Sequence, residues 1–339
     1  ANMMTQRMIE ILKAIIDEFI NTAEPVASKT LVEEYHLPYS SATIRNDMAI
    51  LEAEGYLEKP HTSAGRIPSN KGYKYYCENL LDKGLDDKVK YEVANIFSDS
   101  TMNVEDCVKQ SCRMISDMTN LTSGVLGPNA NLQTLEHIAL FPLDDKTAVC
   151  VFVTNTGHTE NKTFNFKDSV SADDIKTCTD ILNDRLKGTQ ISDLKEKLES
   201  IRPILVNNVK RHEMLFNAFI GAFTRFASEK LYFSGTSNLM YQPEFSDTEK
   251  LKELIKIFDD PNKIKEIVAE DNGENQVTAI MPKGTELIWK DDMAIVTTDV
   301  RLSKKEIGKL MVMGPRRMEY NRVLSLMSLI SKALDDIYK

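Results

Sequence analysis

The sequence lacks the cysteine spacing and the catalytic signatures that mark many metal sites and enzymes. Its five cysteines are odd in number and include no CxxC pair, so we expect reduced thiols and neither a disulfide framework nor a zinc site. It has no G-x-x-x-x-G-K-[ST] loop, no H-E-x-x-H and no EF-hand spacing. Gly235-Thr236-Ser237 lacks the second glycine of a G-x-S-x-G elbow. These absences predict a protein that is not an enzyme and needs no metal or cofactor.

Long apolar runs and an excess of positive charge are also missing. No run approaches the ~20 apolar residues that cross a membrane, and the N-terminus has no signal-peptide pattern. We therefore expect a cytoplasmic protein with no membrane contact. The 339 residues, 42% of them apolar, suffice for two or three domains. A net charge of −9 excludes a general polyanion binder, so any nucleic-acid contact must be local.

Residues 25–72 carry the strongest pattern. A helix is predicted after Pro38, with Ser40 or Ser41 as its cap. Apolar residues at i, i+4 and i+7 should face the core (Ile44, Met48 and Leu51). The opposite face carries the small residues Ala42 and Ala49 beside Arg45 and Asn46. Small side chains let a helix settle into a major groove. Arginine can bond the guanine edge and asparagine the adenine edge.

A second element, a hairpin, is predicted from two short strands at 57–59 and 66–68. The segment 59–77 has four Lys or Arg residues and no acid, although residues 1–82 carry eight basic and twelve acidic side chains. A local basic strip is what phosphate contact requires. With predicted helices at about 5–22 and from Ser28, the order indicates a winged helix-turn-helix that binds DNA. The alternative is that the helix and hairpin are ordinary packing elements of a small α+β domain.

The remainder mixes helical and strand-like periods. Residues 85–120 read as one or two amphipathic helices. Three strands at 137–141, 148–153 and 161–166 should form an antiparallel meander. A long helix is predicted at about 203–230, with a dense aromatic stripe that must be buried. Strands at 231–233, 278–280, 293–297 and 310–313 and a closing helix at 318–338 follow.

Several blocks of the chain resemble the signature blocks of the HrcA family of bacterial heat-inducible transcription repressors. Three lie in the first part, at residues 24–31 (EPVASKTL), 40–48 (SSATIRNDM) and 60–69 (PHTSAGRIPS). Others follow in family order: 124–128 (GVLGP), 154–158 (TNTGH), 235–239 (GTSNL), 242–245 (QPEF) and 314–320 (GPRRMEY). Together with the element order, the resemblance implies an α+β multidomain protein. It has a winged-helix DNA-binding domain at 1–82, a GAF-like α/β domain at 85–124 and 210–339, and an inserted dimerisation domain with a three-stranded antiparallel sheet at 125–209.

The predicted DNA contacts lie in two groups. The first would enter the major groove, with the helix N-terminus holding phosphate: Ser40, Ser41, Thr43, Arg45 and Asn46. The second would secure the flanking backbone: Lys59, His61, Thr62, Ser63, Arg66 and Lys71. A two-fold dimer predicts an inverted-repeat site on double-stranded DNA. The resemblance implies that this operator is the CIRCE element of chaperone operons (groE and dnaK type), and that the GroEL chaperonin keeps the repressor active until heat titrates it away.

An alternative function is a metabolite-responsive repressor with a small-ligand site in the GAF-like domain. Two segments, 235–238 and 314–317, carry glycines, hydroxyls and an arginine pair that could line such a pocket. Read structurally, both are strand-to-helix turns, which is the interpretation we favour. A GAF-containing enzyme is disfavoured because no nucleophile or metal ligand set is evident.

Overall fold

The computed structural model describes residues 4–61, 65–82, 84–99, 102, 104–127, 133–155, 157–226, 231–268, 276–304 and 306–339. It confirms a mixed α+β fold with helices and three antiparallel sheets. The N-terminal part contains α1 (Gln6–Thr22), α2 (Ser28–Glu33), α3 (Ser41–Ala53), β1 (Leu57–Glu58), β2 (Ile67–Pro68) and α4 (Asn70–Asn79). From α1 to β2 this is the element order expected from the sequence.

The predicted cap and core stripe of α3 are present. Ser40 is the N-cap of α3, and its Oγ accepts a hydrogen bond from the Thr43 amide at 3.1 Å. The predicted core residues of α3 are all buried (Ile44, Met48 and Leu51). Ser69 caps α4 in the same way, since its Oγ accepts a hydrogen bond from the Gly72 amide. A Cβ at Gly72 would lie 2.3 Å from the Tyr56 carbonyl oxygen, so the first turn of α4 requires glycine to approach the hairpin this closely.

A six-stranded antiparallel sheet, which we call the large sheet, dominates the rest of the chain. Its strand order is β7-β3-β11-β10-β9-β8. The strands are β3 (Thr122–Leu126), β7 (Leu231–Ser234), β8 (Gln276–Met281), β9 (Thr285–Lys290), β10 (Met293–Arg301) and β11 (Ile307–Pro315). The sequence predicted four of these strands and missed β3 and β9.

Helices cover both faces of the large sheet: α5 (Asp87–Ser98), α6 (Val104–Thr119), α11 (Thr236–Met240), α12 (Thr248–Asp259), α13 (Pro261–Val268) and α14 (Tyr320–Ile337). Side chains alternate across β10 as a period of two requires. Ala294 and Val296 share a core with α14, whereas Met293 and Ile295 share one with α12. The large sheet is thus a buried middle layer.

A separate three-stranded sheet has the order β4-β5-β6, as the sequence predicted. Its strands are β4 (Leu135–Pro142), β5 (Thr147–Thr154) and β6 (Thr159–Asn165), and its helices are α7 (Ala172–Leu186), α8 (Leu194–Ser200), α9 (Arg202–Asn208) and α10 (His212–Phe226). The long helix predicted at 203–230 is therefore two helices, because Val209 is extended (φ −127°, ψ 120°). Residues 227–230 lie outside the described residues.

Helix α10 packs with the three-stranded sheet and its helices. The Phe152 ring of β5 has its centroid 6.3 Å from Phe219 and 5.4 Å from Phe223 of α10. The hydrophobic core of the three-stranded sheet therefore continues to Phe226, beyond the predicted end of the insertion at residue 209. The aromatic stripe of α10 had indicated burial without indicating its partner.

All five cysteines are free and buried. Burial raises the pKa of the Cys112 thiol to about 11 and that of Cys178 to about 12, so their thiolates are scarce at neutral pH. The described residues contain no group of three side chains suited to a metal ion. No helix within those residues combines the length and apolarity that a membrane span would need.

Candidate nucleic-acid interface

One face of α3 is free of the core and presents the predicted base-reading residues. Arg45 and Asn46 are exposed there, and so are Ala42 and Ala49. A helix surface with two small side chains beside two long polar ones can approach base edges closely. These four side chains lie open to solvent over two turns of the helix.

A partly buried ion pair fixes α3 on α1. Arg7 Nε donates to Asp47 Oδ2 at 2.6 Å and Arg7 Nη2 to Asp47 Oδ1 at 3.2 Å, which makes the contact bidentate. The Asp47 side chain is only 5% exposed. The hydrogen bond to Asp47 raises the pKa of the Arg7 guanidinium. A charged pair with two parallel bonds holds a fixed geometry. The contact with α1 therefore fixes the orientation of the exposed face of α3.

The hydroxyls at the start of α3 have distinct roles. Ser40 Oγ lies 2.8 Å from Thr43 Oγ1, and both residues flank the exposed helix N-terminus. Backbone amides at such an end favour a phosphate group. Ser41 Oγ lies 3.0 Å from Ser28 Oγ of α2. The hydroxyl of Ser41 therefore joins the two helices. A phosphate bound by Ser41 would compete with Ser28 for this hydroxyl.

The hairpin carries the second predicted group. Lys59 and His61 are exposed at its outer end, whereas Thr62 and Ser63 lie outside the described residues. Arg66 Nε donates to Glu52 Oε2 of α3 at 2.7 Å, and its side chain is 14% exposed. In this arrangement Arg66 holds the hairpin against α3, and its predicted phosphate contact would require the ion pair to break.

Lys71 is also engaged with the N-terminal part itself. Its Nζ donates to the Glu54 carbonyl at 2.7 Å and lies 4.4 Å from the centroid of the Tyr56 ring. The residue is nevertheless exposed. Lys71 can therefore turn towards a phosphate at the loss of these two surface contacts, whereas Arg66 would have to break a less exposed ion pair.

Ile50 is an exposed residue that the sequence interpretation missed. Its side chain is 44% exposed on α3, one turn beyond Asn46. Its exposure was predictable from the sequence, because Ile50 falls outside the core stripe of Ile44, Met48 and Leu51. Apolar side chains in a major groove contact the methyl group of thymine.

The two segments considered for a small-ligand pocket serve as turns. Asn238 Nδ2 donates to the Leu121 carbonyl at 3.0 Å. Arg317 bonds Glu244, and its Nη2 donates to Gln242 Oε1 at 2.9 Å. A groove of about 1050 Å³ lies elsewhere, between the end of α4, the β8–β10 strands and α14, and neither segment lines it.

Comparison with known proteins places the chain in a family. The profile described as HrcA protein C terminal domain matches residues 105–324. The heat-inducible transcription repressor HrcA of Listeria welshimeri serovar 6b is 35% identical over 337 residues, which are 99% of this chain and 97% of that protein. The chain belongs to the HrcA family of heat-inducible transcription repressors. The resemblance seen in the sequence blocks is thereby confirmed.

Another HrcA, from Listeria monocytogenes serotype 4a, is 34% identical over 99% of this chain and 97% of its own. A crystal structure at 2.2 Å resolution, described as that of a hypothetical protein, covers 99% of both chains with a TM-score of 0.71 and 19% identity. At that identity it shows a shared fold. The likeness in fold thus extends over nearly the whole chain.

Proposed function

We propose that this HrcA-family chain represses transcription by binding double-stranded DNA as a homodimer, with α3 in the major groove and the hairpin as a wing. The observation that carries the proposal is the exposed face of α3, where Arg45 and Asn46 stand beside Ala42 and Ala49. Membership of a repressor family adds to it. The operator would be the CIRCE inverted repeat of chaperone operons of the groE and dnaK type, as the family resemblance implies.

We further infer that the large sheet with its helices is a GAF-like domain and that the three-stranded sheet with α7–α10 is an inserted dimerisation domain. One face of that smaller sheet packs on its helices. The other face carries partly buried valines along β5 (Val149, Val151 and Val153) and Phe141 at 56% exposure, and its β6 edge carries exposed polar residues. An exposed apolar strip with a polar rim favours association. A two-fold dimer would present two α3 helices to an inverted repeat.

The proposed regulation is that GroEL maintains the active form and that heat titrates GroEL away. This part rests on the family resemblance. Its physical basis would be a repressor that is marginally stable at the contacts between its parts and drifts into an inactive form. Purified protein that stays active through heating without chaperonin would count heavily against it.

A salt-titrated binding assay tests the function. Wild-type protein should bind an inverted-repeat CIRCE duplex in preference to a scrambled duplex of equal length and composition, and prior incubation with GroEL should increase the active fraction. Affinity should fall steeply with salt, because phosphate contacts release counterions. Equal and weak binding to both duplexes would leave α3 without its proposed target.

Ile50 gives a finer prediction about base reading. Removing one methyl contact should cost about 0.8 kcal/mol, or roughly fourfold in affinity. We expect wild type to lose this much binding free energy when one operator thymine is replaced by uracil, which lacks the methyl group. Ile50→Ala should bind more weakly and be insensitive to the same replacement, as a double-mutant cycle would show. If every thymine-to-uracil change has the same effect on both proteins, Ile50 does not read a methyl group.

A further inference from the structure

Two parts of the chain meet at a junction that the DNA contacts do not use. We call it the Arg316 junction: Arg316, Tyr320 and Trp289 on the large-sheet side, and Glu58, Asn70 and Tyr73 on the N-terminal side. Arg316 Nη1 donates to Asn70 Oδ1 at 3.0 Å, and Arg316 Nη2 lies 3.6 Å from Glu58 Oε2. The Arg316 side chain is only 15% exposed. One side chain therefore ties β1 of the hairpin and the start of α4 to the turn before α14.

The junction is buried and ordered around one tyrosine. Trp289 Nε1 donates to Tyr320 Oη at 2.8 Å, and Tyr320 Oη donates to the Arg316 carbonyl. The Tyr73 ring of α4 has its centroid 5.6 Å from that of Tyr320. Trp289, Tyr73 and Tyr320 are all 1% exposed or less. The hydrogen bonds of Tyr320 thus fix the backbone that carries Arg316.

The covalent connection between the two parts is short and contains a permissive glycine. The linker between α4 and α5 spans 80–86, and Gly84 within it has φ +116° and open space where a Cβ would lie. Such a linker does not by itself define an orientation. The Arg316 junction, together with the packing of α4 on β8 and β9, holds the N-terminal part in a fixed direction relative to the large sheet.

We propose that Arg316 is a positioning residue that sets the half-site spacing at which the repressor binds DNA. The proposal rests on the proposed function, in which a dimer reads an inverted repeat. The two α3 helices can match two half-sites only at a fixed separation and phase. Because the proposed dimerising surface lies outside the N-terminal part, each α3 is placed relative to its partner through this junction.

Arg317 offers a matched control. It is the next residue in the same turn, and its side chain is 17% exposed, but its partners Glu244 and Gln242 belong to the large-sheet side. Arg316→Ala and Arg317→Ala therefore remove similar side chains, and Arg316→Ala is the one that removes the hydrogen bond to Asn70 and the ion pair with Glu58. Exchanging the charges, with Glu58→Arg and Arg316→Glu together, should restore part of the wild-type behaviour.

The first test measures binding to inverted-repeat duplexes whose spacers differ by single base pairs. Wild type and Arg317→Ala should show a sharp optimum. The affinity of Arg316→Ala should fall on the order of tenfold at the optimal spacing, because its second half-site binds at a lower effective concentration. This variant should also discriminate less between spacings. Its binding to a single half-site should be unchanged. A wild-type profile for Arg316→Ala, or an equal loss on the single half-site, would overturn the positioning role.

The second test needs no DNA, so it decides whether Arg316 orients the two parts even if the proposed function fails. Spin labels at Ala49→Cys on α3 and Lys290→Cys on β9 report the orientation of one part against the other. These exposed thiols should be labelled selectively, because the five native cysteines are buried. Electron paramagnetic resonance should give a narrow distance distribution for wild type and Arg317→Ala, and a broad one for Arg316→Ala. An unchanged distribution would reject the junction as the orienting contact.

Discussion

An alanine at Phe219 should lower the free energy of unfolding by about 3–5 kcal/mol, the usual loss for a fully buried phenylalanine. Phe219 has no exposed surface, and its ring centroid lies 5.1 Å from Phe164, 5.8 Å from Phe223 and 6.3 Å from Phe152. The truncation leaves a cavity among three rings that belong to both strands and helix. Urea unfolding monitored by circular dichroism measures the loss.

The same variant separates the two possible partners of α10. The single tryptophan, Trp289, is buried in the large sheet, so its fluorescence reports that part of the chain. Phe219→Ala should move the circular-dichroism transition to lower urea and leave the Trp289 transition nearly in place. Phe219→Leu, which keeps most of the volume, should give a smaller shift. Equal shifts of both signals would contradict the packing of α10 on the three-stranded sheet alone.

Local features of the fold were predictable because their causes are local. The cap at Ser40 and the stripe of Ile44, Met48 and Leu51 depend on residues within one helix. The three-stranded meander depends on alternation within each strand and on turn residues between strands. Such signals act over a few residues, so one sequence contains them in full.

The missed strands have causes that lie far away in the chain. The short β3 is hydrogen-bonded on both sides, by β7 and β11. A Cβ at Gly124 would lie 2.4 Å from Phe233 Cδ1, so this strand needs a glycine in its middle, which reads as a break in a sequence pattern. The missed β9 follows a tight turn in which Lys283 and Gly284 both have positive φ.

The same limit applies to the candidate site. Exposed residues such as Arg45 were predictable from the helix period, since only the opposite face could be buried. The partners of Arg66 and Arg316 were not predictable, because Glu52 and Glu58 are ordinary acidic residues in sequence and become partners only when the hairpin has folded onto α3 and the large sheet. Tertiary ion pairs therefore decide which basic residues remain available to DNA.

Replacing Arg45 by alanine should weaken operator binding by about 1–3 kcal/mol and relax the base preference at one position of each half-site, as expected for an arginine that bonds a guanine edge. Lys59 is the matched comparison, since it is also exposed but lies on the hairpin. Lys59→Ala should weaken binding to all sequences about equally and reduce the salt slope by about one.

The decisive comparison is therefore between sequence dependence and salt dependence. It is measured by fluorescence anisotropy on the inverted repeat, on single-base variants of it and on a scrambled duplex, each over a range of salt concentrations. A selective loss for Arg45→Ala and a uniform loss for Lys59→Ala would assign base reading to α3 and backbone contact to the hairpin. A uniform loss for Arg45→Ala would instead make Arg45 a phosphate contact, and the reading of bases would then have to come from Asn46 and its neighbours on the same exposed face.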